Sequence, residues 1–200
     1  TSNGESGIPH TLAHLQVVHP DDQKRLGELG LYLTFTYAWT TPQLAYDMLV
    51  STFIQPTRAG QSLSEATYDP MGYLHDARYP VESSRQAGAV LVAGSDAPVD
   101  SRDPRPFENM AAGIMKAAGS GDDFRASQRT SLAEMLAAYT INGARAVRQE
   151  AITGSIEAGK SADFIVLDRD LFALVKAGTP EQIAQTRVEQ TVFMGETVYP

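Results

Sequence analysis

The sequence predicts a parallel α/β protein, and three observations carry that prediction. Strand-like and helix-like segments alternate through the first hundred residues. The apolar run Ala89-Val-Leu-Val-Ala-Gly-Ser-Asp-Ala-Pro-Val99 ends in a turn that delivers a single carboxylate, and only near the C-terminus does the apolar period drop to two. Residues 11–18 (Thr-Leu-Ala-His-Leu-Gln-Val-Val) read as a buried strand with one polar interruption, His14. His19-Pro20-Asp21-Asp22 signals a helix start with Pro in the first turn, and Leu26 and Leu29 give that helix an apolar stripe up to Gly30. Leu31–Ala38, rich in Tyr, Phe, Thr and Leu, is the second strand; Thr41-Pro42 opens a helix striped by Leu44, Met48 and Leu49. Residues 55–78 read as a long loop or lid, Val81–Gly88 as a short helix, and Ala89–Ser95 as the third strand.

The second half changes character. Residues 100–107 are loop, Glu108–Ala118 is a helix, and Gly119-Ser-Gly-Asp-Asp123 interrupts it. Ser131 is an N-cap with Glu134 three residues on, and Leu132, Met135, Leu136 and Tyr139 keep helical spacing through to Val147. Ala162–Leu167 and Val188–Tyr199 are strands, the latter a hairpin turning at Met194-Gly195-Glu196.

Composition removes several classes. With 200 residues and 42% hydrophobic content the chain can bury a core as one large or two small domains. A net charge of −8 argues against nucleic-acid and anionic-membrane surfaces, which need clustered Lys and Arg. No apolar run approaches the ~20 residues of a bilayer span, and residues 1–8 are too polar for a signal peptide's apolar region, so the cytoplasm is the expected compartment. The absence of cysteine excludes disulfides, thiolate zinc sites and cysteine nucleophiles. A metal here needs His, Asp or Glu.

Asp96 is the first candidate for chemistry. Gly94 lets the backbone turn and Pro98 cannot continue a ladder, so Asp96 is expected at a rim, either as a ligand or base or as a carboxylate capping the next turn. His14 alone reads as a hydrogen-bonded core histidine. Paired with Asp96 it becomes more, because strands of one parallel series bring such residues to a common rim. Imidazole plus carboxylate suits Zn²⁺, Mn²⁺ or Fe²⁺. His19 reads as a helix-start residue, His10 and His75 as loop residues, and Tyr37 and Trp39 follow the second strand, where they could touch a substrate or pack as aromatics. Gly154-Ser-Ile-Glu-Ala-Gly-Lys-Ser161 matches the P-loop pattern in letters, but a phosphate cradle needs a strand before it and a helix after it. Here a helix precedes and a strand follows, so nucleotide binding is disfavoured.

Four segments together resemble the C-terminal part of metal-dependent amidohydrolases: Thr11-Leu-Ala-His-Leu-Gln-Val-Val-His-Pro-Asp-Asp22, Ala93-Gly-Ser-Asp-Ala-Pro-Val99, Ala138-Tyr-Thr-Ile-Asn-Gly-Ala144 and Gly154–Asp168. The branch resembled is amidohydrolase family 3, with N-substituted formamide deformylases and D-aminoacylase relatives. The resemblance implies strands six to eight of a (β/α)₈ TIM barrel in residues 1–151 and the C-terminal strands of a small composite β-sandwich in 152–200. It implies His14 as the sixth-strand metal ligand, and Asp96 as the eighth-strand ligand that also takes a proton from the attacking water. A divalent metal follows, zinc first, as one or two ions in the complete enzyme, with a small amide- or formamide-type substrate. Ala13 stands where many relatives place Glu. The first-strand His-x-His pair, the fourth-strand Lys or Glu and the fifth-strand His have no counterpart, so the chain is expected to be a piece of a longer hydrolase, inactive alone. Its open strand edges would meet the missing N-terminal part or another copy in a homo-oligomer. The competing class is a non-catalytic binding or oligomerisation module.

Overall fold

The computed structural model describes residues 7–51, 57–99, 103–115 and 126–200. Its first half is built on β1 (Thr11–Ala13), α1 (Pro20–Glu28), β2 (Tyr32–Phe35), a 3₁₀ turn (Tyr37–Thr40), α2 (Leu44–Ser51), α3 (Leu63–Thr67), α4 (Tyr73–Ala77), α5 (Val81–Gln86) and β3 (Val90–Ala93). The three strands form one parallel sheet in the order β1-β2-β3, with Leu12 beside Leu33 and Leu33 beside Leu91. Parallel pairing puts the C-terminal ends of all three on one side, which positions everything that follows.

Local chemistry explains the elements. His19 caps α1, its Nδ1 accepting from the Asp21 N–H at 3.2 Å, while Pro20 takes the first turn and Asp21 and Asp22 face the helix's positive end. Helices α1 and α5 pack so closely that a Cβ on Gly27 would stand 1.8 Å from the Ala87 carbonyl oxygen, so only glycine fits there. Ser62 and Glu65 form a reciprocal capping box on α3.

The strands are shorter than their apolar runs. The segment expected as one strand over 11–18 leaves the ladder after Ala13, because His14 and Leu15 turn into left-handed backbone at φ 72° and 50°. Val17 returns only as an isolated bridge to Arg78. Leu31–Ala38 likewise ends as a strand at Phe35 and tightens into the 3₁₀ turn. Of the stripe expected on α2, Leu44 and Leu49 are 39% and 77% exposed and Met48 is half-buried, while Asp47 of the same helix is buried. Where a long loop was expected, the described residues 57–78 hold α3 and α4, with Ala66, Leu74, Ala77 and Arg78 buried. These helices are about one turn each, too short for a periodic signal.

The second half contributes α6 (Pro106–Ile114), a 3₁₀ turn (Ala126–Gln128), α7 (Leu132–Tyr139), α8 (Ile141–Ala146), β4 (Phe164–Leu167), α9 (Leu171–Lys176), a 3₁₀ stretch (Pro180–Gln185), β5 (Val188–Phe193) and β6 (Glu196–Tyr199). The helix expected over Glu108–Ala118 begins earlier, because Pro106 is the first-turn residue of α6; residues 116–118, and Gly119–Asp123, lie outside the described residues. The single helix expected from Leu132 to Val147 is two, broken at Thr140 by backbone at φ −122°, ψ −99°. Strands β4, β5 and β6 form an antiparallel sheet in that order, and the β5–β6 hairpin turns through Met194 and Gly195 at φ 52° and 84°, a primed pair that matches strand twist. One core serves the parallel sheet: Leu33, Phe35 and Leu91 meet Met110 of α6 and Met135 of α7, and Leu171 and Ile183 join from the C-terminal half. Among the described residues no helix is long and apolar enough to cross a membrane.

Candidate functional site

His14 and Asp96 meet at the C-terminal rim of the parallel sheet. His14 directly follows β1, its N–H still donating to the Thr34 carbonyl of β2 at 2.8 Å; Asp96 stands three residues beyond β3. The imidazole Nδ1 faces the Asp96 Oδ2 at 3.9 Å. Both residues occupy left-handed backbone, His14 at φ 72° and Asp96 at φ 53°, as does Leu15 at 50°. Such conformations cost a non-glycine residue on the order of 1 kcal/mol or more and persist where surrounding structure dictates them, commonly at functional sites. Among the described residues, the turn-closing N–H groups of Ala97 and Val99 donate to Ser95 Oγ and the Asp96 carbonyl rather than to the Asp96 carboxylate. Its carboxylate is left facing the histidine.

The pair suits a divalent ion. His14 Nδ1 is screened from solvent and makes no hydrogen bond, although the His14 side chain as a whole is 39% exposed. A nitrogen and an oxygen on one tetrahedral zinc, each about 2.0–2.2 Å from the metal, stand roughly 3.4 Å apart, so a small closure brings 3.9 Å to ligand spacing. Among the described residues no group of three or more His, Asp or Glu side chains is placed to hold a metal. The donor set here has two members.

Aromatic groups flank the pair. Trp39, presented by the 3₁₀ turn after β2, stacks on the His14 ring at 5.7 Å and 21°, and Tyr46 of α2 tilts against Trp39 at 5.5 Å. Gln16 Nε2 donates to the Tyr46 hydroxyl at 3.2 Å. Tyr37, expected beside Trp39 as a substrate contact, lies instead in the core: it is fully buried, packed on Phe35 at 5.9 Å, and burial pushes its phenol far above the ordinary tyrosine range. The 3₁₀ turn sends successive residues to different sides, which separates Tyr37 from Trp39. Behind the aromatics is an ion pair that sequence reading missed. Asp47 Oδ2 lies 3.2 Å from Arg78 Nη1 and accepts from the Tyr68 hydroxyl at 2.7 Å and the Gln43 N–H at 3.1 Å; both charged side chains are 2% exposed. Its one signal was an aspartate inside the otherwise apolar run Leu44–Val50.

The P-loop lookalike is spent on structure. Gly154, at φ 90°, packs so that a Cβ there would meet the Ala144 Cβ of α8 at 2.6 Å; Lys160 donates to Ser155 and Glu157 inside the same turn. Ser161 leads toward β4, not into a helix, so no helix N-terminus offers N–H groups to phosphate.

The Amidohydrolase family profile matches residues 2–199. The chain belongs to the amidohydrolase family. Over 92 residues this amidohydrolase chain is 36% identical to an N-substituted formamide deformylase from Arthrobacter pascens, a match covering 46% of the chain and 17% of that protein. A metal-dependent hydrolase from Pyrococcus horikoshii superposes with a TM-score of 0.60 at 21% identity, covering 82% of this chain and 30% of that one. A variant of atrazine chlorohydrolase from Arthrobacter aurescens, complexed with zinc and atraton, superposes at 0.56 and 15% identity, covering 94% and 36%. The amidohydrolase chain thus spans well under half the length of the relatives it matches, and the structural likenesses carry the fold: a TIM-barrel-type α/β architecture.

Proposed function

We propose that this chain is the C-terminal part of a metal-dependent hydrolase acting on non-peptide C–N bonds of the amide and formamide type, with His14 and Asp96 as metal ligands. In this reading β1, β2 and β3 are barrel strands six, seven and eight, residues 1–151 are barrel, and 152–200 are the C-terminal share of a composite sandwich. The observation that carries it is the 3.9 Å approach of two donor side chains from β1 and β3, both on left-handed backbone, at the end of a parallel sheet where barrel enzymes keep their chemistry. Family membership supports hydrolase chemistry, and the zinc complex among the structural neighbours supports zinc as the metal.

His14 and Asp96 would hold a divalent metal, which would supply acidified water and a polarised carbonyl. Asp96, besides holding it, accepts the proton of the attacking water and returns it to the departing amine nitrogen. His14 contributes a neutral nitrogen donor and no proton transfer. Two donors hold an ion less firmly than the three or more of a catalytic site, so the 200-residue chain by itself is inactive and gains its remaining ligands from polypeptide it lacks. Exposed Leu12 on edge strand β1, 41% accessible, fits a surface covered by that polypeptide or by another copy.

The alternative, a binding or oligomerisation module, is favoured only by the two-member donor set. Calorimetric titration with zinc separates the two. Saturable binding that is lost in His14→Ala and in Asp96→Asn supports the metal reading, and binding indifferent to both variants sinks it. Amide hydrolysis by the 200-residue chain with added zinc would refute the inactivity of the isolated chain.

A further inference from the structure

A histidine that serves a metal is normally held in place by a hydrogen bond from its second ring nitrogen, and that bond fixes both the ring's rotation and its tautomer. His14 has a further support. It lies one residue past the end of β1 on left-handed backbone, its N–H donating to the Thr34 carbonyl at 2.8 Å, and Nδ1, the nitrogen that faces Asp96, makes no hydrogen bond that would fix the ring's rotation from that side. What the ring does have is a face: the Trp39 indole lies on it at 5.7 Å, nearly parallel at 21°. We propose that Trp39 is the positioning residue of His14, its indole fixing the imidazole plane so that Nδ1 stays aimed at Asp96. The inference rests on the reading of His14 and Asp96 as metal ligands, and it moves Trp39 from substrate contact to support of the ligand.

Trp39 can do this because it is itself held from two sides. The 3₁₀ turn that presents it is pinned from α6, where buried Asn109 accepts the Ala38 N–H on Oδ1 at 2.8 Å and keeps its own amide on the Arg105 carbonyl at 3.2 Å. Tyr37, fully buried one turn position earlier, anchors the same turn in the core. From the other side Tyr46 closes on the indole at 5.5 Å. The next residue, Asp47, locks α2 against rotation through Arg78, Tyr68 and the Gln43 N–H. The Arg78 guanidinium also lies over the Tyr68 ring at 5.5 Å, so the lock is itself stacked. Rigid anchors behind a stacked ring are what transmit orientation; a loosely held indole would follow the imidazole rather than set it.

Trp39 is the sole tryptophan, so its emission reads the stack without interference from another indole. The experiment uses the 200-residue chain. Zinc chloride affinity is measured by calorimetry for the parent, Trp39→Leu, Trp39→Phe and His14→Ala, with melting temperatures alongside and the His14 ring protons followed by NMR. Expected is a loss of about tenfold or more in zinc affinity for Trp39→Leu, the range for removing support of a metal-bound histidine. The His14 ring resonances should move downfield as the indole's shielding is lost. Trp39→Phe, which keeps an aromatic face, should recover most of the affinity at a melting temperature no higher than that of Trp39→Leu. Zinc addition should also change the parent's tryptophan emission. If His14→Ala abolishes zinc binding while Trp39→Leu leaves it unchanged, the positioning role is overturned and the site reading stands. If His14→Ala leaves zinc binding intact, the site reading itself fails. A Trp39→Leu chain whose affinity loss is not recovered by Trp39→Phe, or whose His14 resonances stay where they were, would also overturn the role.

Discussion

The two sheets of this amidohydrolase chain are built from similar apolar residues and buried to opposite extents. In the parallel sheet, Leu33, Phe35 and Leu91 are almost wholly inaccessible, and α6 and α7 supply Met110 and Met135 to the same core. In the antiparallel sheet Val192 is the sole strand residue buried among the described residues, while Phe164, Ile165 and Val166 run consecutively at 39%, 49% and 39% exposure. The first sheet is therefore held by packing. The second is held by its own ladder and by polar locks at its ends: Asp163 accepts from the Met194 N–H and from Ser161, and Asp168 accepts from the Arg187 N–H and Arg169. His14 and Asp96 hold left-handed backbone at the end of the packed sheet, and the candidate site sits there.

The contrast can be broken hardest at Arg78. Removing one member of a buried ion pair leaves the other charge uncompensated, so Arg78→Ala should cost about 3–5 kcal/mol in urea unfolding, whereas Arg78→Met combined with Asp47→Leu should recover most of it. An Arg78→Ala cost under about 1 kcal/mol would mean that the core does not hold α2. Asn109→Ala comes next: it strands the Ala38 N–H and should cost about 1–3 kcal/mol, read in the same assay. On the other sheet, Phe193→Thr and Val198→Thr replace side chains 55% and 60% exposed and should stay within about 0.5 kcal/mol of the parent while raising solubility. A large loss there would show that the antiparallel sheet is packed against something, and the comparison would fall.

Acid sharpens the comparison. The Arg169 guanidinium and the Arg187 N–H hold the Asp168 carboxyl down at about 2, below the unfolded value near 3.9. A depressed carboxyl contributes stability that is complete above the unfolded value and is lost as pH falls through the folded one. Protection of the Arg187 amide, taken relative to its intrinsic exchange rate at each pH, should fall between about pH 4 and pH 2, ahead of protection at Leu33 in the buried sheet; simultaneous loss would contradict the separate locking of the two sheets. The smallest expected effect is at Lys160, where alanine should change ATP or GTP binding not at all, because titration of the parent should show none.

Much of the fold was legible along the chain, and its legibility tracks range. The caps at His19 and Ser131, the strand-helix-strand alternation and the Met194-Gly195 turn depend on neighbours within about four residues, so letters sufficed. The short α3, α4 and α9 left too few turns for periodicity to speak, and the break at Thr140 is backbone geometry that helix-favouring neighbours conceal. At the site, the sequence by itself determined which residues could carry chemistry, since a histidine and an aspartate closing two strands of one parallel series can share a rim. Only the tertiary structure decided that Tyr37 goes to the core while Trp39 goes to His14, and that Asp47 finds Arg78 31 positions away. Side-chain direction after a strand depends on how the backbone tightens, and a buried charge on where its partner lands; both are settled by packing across the sheet rather than by order along the chain.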